Sequence, residues 1–264
     1  MNTVSYNREA WNQQSIRGSE WCTPVSSEEI ESARKGDWKV ILTPNKAVPK
    51  AWFGDLPGKA LLCLASGGGQ QAPILSAAGA KVTSFDNSDE QLAKDLLVAK
   101  RDGLEITAKQ GDMADLSAFP DSSFDLIFHP VSNVFVESVL PVWKECFRVL
   151  KPNGRLLSGF MNPAFFLFDH DELENAGEPV VKYSIPYSDK SDLPPEKLEK
   201  IQRDKIAYEF GHSLQDQIGG QTAAGFVIAD LYEDDWSDEA SPLNKYFRIN
   251  MATLAIKLEV PQVI

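Results

Sequence analysis

A glycine-rich stretch, ASGGGQQA at residues 65–72, carries the residue types and the spacing that indicate chemistry most directly. It follows the apolar run ALLCL, and its glycines match the pattern G-x-G-x-x-G/A of a loop between a strand and a helix. Such a loop brings backbone amides close to a nucleotide, because glycine carries no side chain that would block the approach. The stretch therefore predicts a nucleotide-like cofactor, although three glycines could also form nothing more than a tight turn.

A carboxylate follows at a position suited to a ribose. Asp86 lies nineteen residues after Gly67, at the end of the segment KVTSFD, and can accept hydrogen bonds from both ribose hydroxyls. Asn87 could contact the same cofactor or serve only in the turn. Because a nicotinamide dinucleotide and S-adenosylmethionine both contain adenosine, the glycine loop and Asp86 do not decide between them.

The segments around these residues alternate between strand and helix patterns. This alternation predicts an α/β fold, a doubly wound αβα sandwich in which parallel strands present their carboxyl ends, and hence the site, at one edge. The last two strands have no helix between them and should form an antiparallel pair, which gives a seven-stranded, mostly parallel sheet with an antiparallel terminal strand. The expected strands are 60–65, 81–86, 106–112, 124–129, 155–161, 226–233 and 247–258, and the expected helices are 70–78, 88–101, 139–150 and 213–224.

Two segments fall outside this alternation. Residues 1–57 contain four of the six tryptophans, and the insertion at 162–209 is rich in proline and charge. We expect one domain over residues 1–264. In it, residues 1–57 form an N-terminal cap, and the insertion forms part of a lid over the acceptor of the reaction.

Composition narrows the class of partner. The 264 residues include 26 Lys and Arg against 38 Asp and Glu, a net charge of −12 that disfavours nucleic acid. The three cysteines are dispersed and suggest neither a disulfide framework nor a metal site. No apolar run approaches the roughly 20 residues of a membrane span, and the first residues lack a signal-peptide pattern. We expect a soluble cytoplasmic protein, a monomer or homodimer, with a small-molecule substrate.

Three further features resemble the class I methyltransferases that use S-adenosylmethionine, of the small-molecule type. Gly111-Asp112-Met113 ends the third strand, the helix stop Lys-Pro-Asn-Gly precedes the fifth, and the chain closes with a strand pair. The resemblance covers residues 55–161 and 210–258. It implies that Asp112 accepts the adenine amino group and Met113 donates to the ring, although Asp112 could simply cap the next turn. The family motif acid-x-Gly-x-Gly-x-Gly departs here, since Cys63 replaces the acid and Ala65 the first glycine.

The resemblance also implies the functional residues. His129, at the end of the fourth strand, becomes the candidate catalytic base or acceptor-orienting group, although it could instead bind backbone or touch the cofactor without chemistry. Apart from the resemblance, candidate acceptor-binding residues are Trp11, Asn133, Phe165 and His212, although Trp11 and Phe165 could serve ordinary packing and His212 could cap the next helix with Ser213. The predicted cofactor-binding residues are Ala65, Ser66, Gly67, Gly69, Asp86, Asn87, Gln91, Asp112, Met113 and His129.

The resulting hypothesis is methyl transfer from S-adenosylmethionine to an oxygen or nitrogen of a small molecule. Protein or RNA methylation is the alternative among enzymes. The replacement of the motif acid by Cys63 also suggests a binding protein without transferase activity. A nicotinamide-dependent oxidoreductase is a further alternative, but the sequence offers it no recognisable hydride-transfer site.

Overall fold

A computed structural model of the protein describes residues 2–176, 179–237 and 240–259. The described strands are β1 (Ala60–Leu64), β2 (Lys81–Asp86), β3 (Ile106–Gln110), β4 (Phe124–His129), β5 (Leu150–Met161), β6 (Tyr187–Ser188), β7 (Phe210–Gly211), β8 (Val227–Asp234) and β9 (Asn250–Ile256). The α-helices are α1 (Thr3–Arg17), α2 (Ser27–Arg34), α3 (Gln71–Ala77), α4 (Asp89–Asp102), α5 (Leu140–Val149), α6 (His170–Ala176), α7 (Asp189–Asp192), α8 (Pro195–Asp204) and α9 (Gly220–Ala224).

Seven strands form one sheet in the order β3-β2-β1-β4-β5-β9-β8. All neighbours up to β5 are parallel, whereas β9 runs antiparallel to both β5 and β8. The predicted fold class is therefore confirmed. The strand order reverses between β1 and β4, which is where open α/β sheets bind their ligands.

Alternation along β1 builds a core on each face of the sheet. Leu61 and Cys63 pack towards α2 and α3, while Leu62 and Leu64 pack towards α5. All four side chains are completely buried, as expected for a strand that helices cover on both sides.

The helix ends follow local signals. The Ser88 side chain accepts a hydrogen bond from the Gln91 amide as the N-cap of α4, and Gly103 ends that helix in the left-handed region. Helix α5 stops at Val149, close to the predicted stop. Strand β5 then starts five residues earlier than predicted, because Leu150 already pairs with Phe124.

Two details were not predicted. The segment expected as a single helix at 213–224 begins with a π-helical turn, Gln215–Gly219, before α9. Strand β6, in the insertion, pairs with β7, which directly follows the insertion, as a separate two-stranded sheet. None of the helices in the described part of the chain is both long enough and apolar enough to cross a membrane.

The insertion packs against α1, which joins the two irregular segments. The Tyr6 and Tyr208 rings stack with centroids 4.1 Å apart. The Asn7 side chain pairs with the backbone of Tyr208 in both directions, donating to its carbonyl at 3.1 Å and accepting from its amide at 2.8 Å. These bonds hold α1 in a fixed position over the carboxyl edge of the sheet.

Candidate functional site

A cavity of about 550 Å³ lies at the carboxyl ends of β1 to β4. Its floor is formed by the loops that follow these strands, and α1 contributes Thr3, Val4, Asn7 and Trp11 to the opposite wall. This volume is typical of a small-molecule site. The cavity thus lies at the edge of the sheet where the sequence analysis predicts the site.

The loop that follows β1 contains glycine because α4 passes too close to it for side chains. A Cβ on Gly67 would lie 2.8 Å from the Gln91 Cβ and 3.3 Å from Asp86 Oδ2. Gly68 and Gly69 adopt φ angles of 122° and 80°, which side chains strongly disfavour. The loop can take this shape, with backbone amides beside the cavity, only as glycine.

The buried carboxylate of Asp95 supports the loop from α4. Its Oδ1 accepts from the Gly69 amide at 2.7 Å, and its Oδ2 accepts from the Ser84 hydroxyl at 2.6 Å. Burial raises the pKa of Asp95 to about 7. In the family the acid that positions the loop stands where this chain has Cys63, and here a carboxylate reaches the loop from a different element.

Sequence analysis did not single out Asp95. A signal was present, because Asp95 occupies the same helical face of α4 as Leu92, Val98 and Ala99, all of which are buried. A charged residue within such an apolar face must find polar partners inside the protein.

Asp86 lines the cavity and is already oriented by backbone donors. Its Oδ2 accepts from the Gly67 amide at 3.0 Å, and its Oδ1 accepts from the Ser88 amide at 2.9 Å. Burial raises the pKa of this carboxyl, and hydrogen bonds from backbone amides oppose the shift. Each carboxylate oxygen keeps a further lone pair, so the group can accept two ribose hydroxyls without moving.

Asp112 and Met113 line the same cavity beyond β3. Asp112 Oδ1 accepts from the Ala114 amide at 3.0 Å, which is the turn contact that the alternative interpretation expects. That contact engages one carboxylate oxygen and fixes the orientation of the side chain. Asp112 can thus shape the turn and still face a ligand.

Most of the remaining predicted cofactor residues line the cavity, and one does not. Ala65, Ser66 and Gln91 line the cavity, and the buried Ser66 Oγ and Gln91 Oε1 have no hydrogen-bond partner among the described residues. Asn87 also lines it, but its amide donates to the Val4 carbonyl at 2.8 Å and so fastens α1. Gly69 lies outside the cavity lining, with its amide directed to Asp95.

These residues fit S-adenosylmethionine. Two carboxylates suit the hydroxyl and amino groups of adenosine, and the glycine loop leaves space that any Cβ at Gly67 would fill. The unpartnered Ser66 hydroxyl adds a hydrogen-bonding group at the loop.

His129 lies behind the cavity wall. It is completely buried, its Nδ1 lies 3.0 Å from the Leu64 carbonyl oxygen, and its ring packs edge-on against Trp143. Burial lowers its pKa to about 4. The next residue, Pro130, lines the cavity, whereas His129 is outside the lining. Its roles in catalysis and cofactor binding stay predictions, and its position favours the backbone-bonded alternative.

The structure brings one of the four predicted acceptor residues to the cavity. Trp11 lines it and packs edge-on against Phe135 at 5.0 Å. The Asn133 amide is buried against Gln217, and His212 Nε2 lies 3.0 Å from the Asn133 carbonyl oxygen. Phe165 stacks on the His170 ring. The last three lie outside the lining, and their contacts are those of packing and support.

Sequence analysis missed several residues that line the cavity on the side away from the glycine loop. Glu209 is the residue of the insertion that lines the cavity, and Asn250 at the start of β9 lines it beside Met161. Trp21 and Trp236 meet edge-on at 5.4 Å and both line the cavity. These positions are distant in sequence and share no motif, so no pattern in the chain could have grouped them.

The N-terminal segment is bonded to the cofactor loops as well as to the insertion. Ser88 donates to Asn12 Oδ1 at 2.6 Å, and Val25 donates its amide to the Gly69 carbonyl at 2.8 Å. Lys94 on α4 donates to the Ser15 and Cys22 carbonyls. One set of contacts therefore links α1 to both ends of the cavity.

Comparison with known proteins agrees with this geometry. Residues 62–158 match a family model described as a methyltransferase domain. The chain is 52% identical over 255 residues to the uncharacterized methyltransferase YbaJ of Bacillus subtilis, and the match covers 97% of this chain and 98% of that protein. A sterol 24-C-methyltransferase of Aspergillus fumigatus is 35% identical over 89 residues, which is 33% of this chain and 23% of that protein.

Solved structures show the same fold. An S-adenosylmethionine-dependent methyltransferase from Mesorhizobium loti superposes with a TM-score of 0.60 at 18% identity, covering 78% of this chain and 94% of that one. This likeness shows the fold, and the 52% identity to YbaJ over 97% of this chain establishes the family. The chain belongs to the class I S-adenosylmethionine-dependent methyltransferases, and S-adenosylmethionine is its cofactor.

Proposed function

We propose that this methyltransferase moves a methyl group to an oxygen or nitrogen of a small molecule. The observation that carries the proposal is the continuity of the cavity. It extends from Gly67, Asp86 and Asp112 at the cofactor loops to Trp11, Phe135 and Met161 on the other side. One enclosed space can therefore hold both a cofactor and a compact acceptor.

The residues of the chain contribute binding, orientation and exclusion of water. Asp86 and Asp112 hold the adenosine, and the Ser66 hydroxyl contacts the other end of the cofactor. When bound, S-adenosylmethionine supplies a methyl group activated by its sulfonium sulfur. Helix α1 shields the cavity from solvent, and the apolar wall aligns the acceptor. Positioning of this kind can account for several kcal/mol of the barrier.

The charge of the cavity supports a small acceptor rather than RNA. The described lining residues include four acids, Asp86, Asp112, Glu137 and Glu209, and no Lys, Arg or His. A phosphate backbone would meet repulsion at this site and from the net charge of −12. The wall formed by α1 also leaves less room for a protein substrate, whose side chain brings its backbone with it, than for a small molecule.

The match to the sterol methyltransferase of Aspergillus fumigatus is too short to assign an acceptor. It covers only a third of this chain, and the family model spans the cofactor-binding repeat at residues 62–158. The acceptor wall comes instead from α1, the insertion and β9. We therefore base the acceptor class on the wall of this cavity.

Transfer from radiolabelled S-adenosylmethionine tests the proposal. The protein is incubated with a panel of small alcohols, phenols and amines, with total RNA and with a protein mixture. Label is expected in the small-molecule fraction. Label that enters only RNA or protein contradicts the proposal. Tight cofactor binding with no transfer to any fraction indicates a binding protein.

A further inference from the structure

Glu209 occupies an unusual place in the acceptor wall. It lies just before β7, and its side chain lines the cavity without a hydrogen-bond or ion-pair partner among the described residues. The Asn7 amide donates to the carbonyls of both Phe135 and Tyr208, so the residue before Glu209 is connected through α1 to the backbone of Phe135. A carboxylate without a partner thus shares this cavity with the Trp11 and Phe135 rings, which meet edge-on at 5.0 Å.

The surroundings of Glu209 favour a positive ligand. Its backbone amide donates to Asp189 Oδ2 at 2.8 Å, so a second carboxylate is close. Tyr187 donates to Asp189, while Lys190 is paired with Glu137 at 2.7 Å. Burial and the charge of Asp189 raise the pKa of Glu209 to about 7. A cation beside Glu209 would stabilise its charged form against both its burial and the charge of Asp189.

The other residues of this wall also favour a positively charged ligand. Trp11 and Phe135 can contact a cation with their ring faces, and the lining offers no positive group to a carboxylate or phosphate. Asn250 is completely buried, and both polar atoms of its amide lack partners among the described residues. Because it lines the cavity, Asn250 can bind a further polar group of the ligand.

From these observations we infer that the acceptor is an amine, that it arrives as an ammonium ion, and that Glu209 binds it and receives its proton. This inference rests on the proposed function and narrows it to nitrogen. An ammonium N–H bond breaks, its proton moves to a Glu209 oxygen, and the electron pair stays on nitrogen. That pair forms the N–C bond to the methyl carbon while the C–S electrons leave to sulfur. The proton on Glu209 passes to solvent as the methylated ammonium product departs.

The acidities of the groups favour an amine over an alcohol. The pKa of an α-amino group is about 8 and that of a lysine-type ammonium about 10. Both are near enough to the pKa of Glu209 for the proton to transfer within the site. The proton of an aliphatic alcohol is much less acidic, with water at about 15.7 as a reference. A phenol, with a pKa near 10, would become an anion beside the Glu209 and Asp189 carboxylates. A carboxylate such as Glu209 could orient an alcohol but could not ionise it.

Calorimetry with a graded series of probes tests the inference. The protein is loaded with S-adenosylhomocysteine and titrated with benzylamine, phenethylamine and longer phenylalkylamines, with the alcohol and carboxylate isostere of each. At least one amine is expected to bind about tenfold more tightly than its isosteres. Label from S-adenosylmethionine is expected to enter the same amine.

Glu209→Gln supplies the variant, and Glu199→Gln, an exposed change in the same insertion, supplies the control. Glu209→Gln should lose amine affinity about tenfold and keep cofactor affinity within about twofold. Amine affinity of the unchanged protein should rise from pH 6 to 8 as Glu209 ionises, and that rise should vanish in Glu209→Gln. Glu209→Asp keeps a carboxylate and should restore part of the binding.

Three outcomes would overturn the inference. They are equal binding of amines and alcohols, amine binding that survives Glu209→Gln, and cofactor affinity that falls in parallel with amine affinity. Transfer to alcohols alone would also overturn it while leaving the proposed function intact. Transfer to no small nucleophile at all would instead count against the proposed function itself.

Discussion

The cofactor side and the acceptor side of the cavity are built in different ways. On the cofactor side, Gly67, Asp86 and Asp112 each lie within three residues of the end of a parallel strand. On the acceptor side, Trp11, Glu209, Trp236 and Asn250 come from a helix, a loop in the insertion, a second loop and the start of β9. One side is produced by a repeating unit, and the other by contacts between distant segments.

Because the two sides are built differently, substitutions on each side should affect different measured properties. Asp86 and the Gly67 amide are bonded across 19 residues, within one β-α-β unit. Asn7 and Tyr208 are bonded across 201 residues, and this bond connects two segments that lie outside the repeat. We expect changes on the cofactor side to alter cofactor affinity, and changes on the acceptor side to alter turnover while cofactor affinity persists.

The largest effect is expected at the glycine loop. In Gly67→Val the new side chain would collide with Gln91 and with the Asp86 carboxylate, so cofactor affinity should fall about 100-fold or more. Calorimetric titration with S-adenosylhomocysteine measures it. Gly219→Ala is the control, because a Cβ there would meet only an ordinary contact at 3.7 Å. Affinity within threefold of the unchanged protein would show that this loop is not the cofactor site.

Asp86→Ala removes the carboxylate that would hold the ribose. A charged acceptor of hydrogen bonds contributes about 1.5–3 kcal/mol, so cofactor affinity should fall between about 10-fold and 100-fold. Equilibrium dialysis of labelled cofactor gives the comparison, with the exposed Asp37→Ala as the matched change. Equal affinities in the two variants would refute the ribose assignment.

Asn7→Leu tests the acceptor side. The change removes the side-chain bonds to Phe135 and Tyr208, which releases α1 from the insertion. With a methyl acceptor identified from the panel, turnover should fall about tenfold, since loss of a precise position is costly to group transfer. Cofactor affinity should change less than threefold.

The control for this test is Gln13→Leu, which removes one bond to Glu9 within α1. It should leave turnover nearly unchanged. A parallel fall in turnover and cofactor affinity in Asn7→Leu would mean that the two sides of the cavity are not separable.

Asp95→Asn tests the internal support of the loop through pH. The pKa of Asp95 is about 7 in the folded protein and about 4 in the unfolded chain, so the folded state binds the extra proton between these values. The stability that this proton contributes is present below pH 4 and lost as pH rises to 7.

Relative to the unchanged protein, Asp95→Asn should therefore become more stable by up to about 1.4 kcal/mol per pH unit between pH 5 and 7. Urea unfolding at several pH values measures this difference, with Asp37→Asn as control. A difference that does not vary with pH would mean that Asp95 is not protonated in this range.

The smallest effect is expected at Ala65, which stands where the family has its first glycine. Ala65 adopts a φ of 49°, in the left-handed region that costs a residue with a Cβ about 1 kcal/mol or more. Ala65→Gly relieves that strain and adds freedom to the unfolded chain, so the free energy of unfolding should rise by about 0.5 kcal/mol. A clear loss of stability would show that the Ala65 methyl group is needed for packing.

Much of the cofactor side was predictable because local rules govern it. The glycine spacing, the helix that begins near residue 88 and the strand ending at Asp86 lie at the expected places in the structure. Asp95 escaped prediction, since its role depends on two partners, Ser84 and Gly69, that a helix face alone does not reveal. His129 was expected beside the acceptor, but its ring turns to the Leu64 carbonyl, and a strand end does not decide which side of the sheet a side chain takes.

The fold class, the glycine loop after β1 and the carboxylates at the ends of β2 and β3 could be predicted from the sequence, because hydrophobic periodicity and strand ends act over short stretches of chain. The opposite wall of the cavity could be seen only in the folded protein. Glu209 and Asn250 meet in one cavity because α1 is fastened to the insertion and because β9 inserts beside β5, with Asn250 paired to Met161. Such contacts depend on the packing of segments far apart in the chain, and the spacing of residues along the sequence does not predict them.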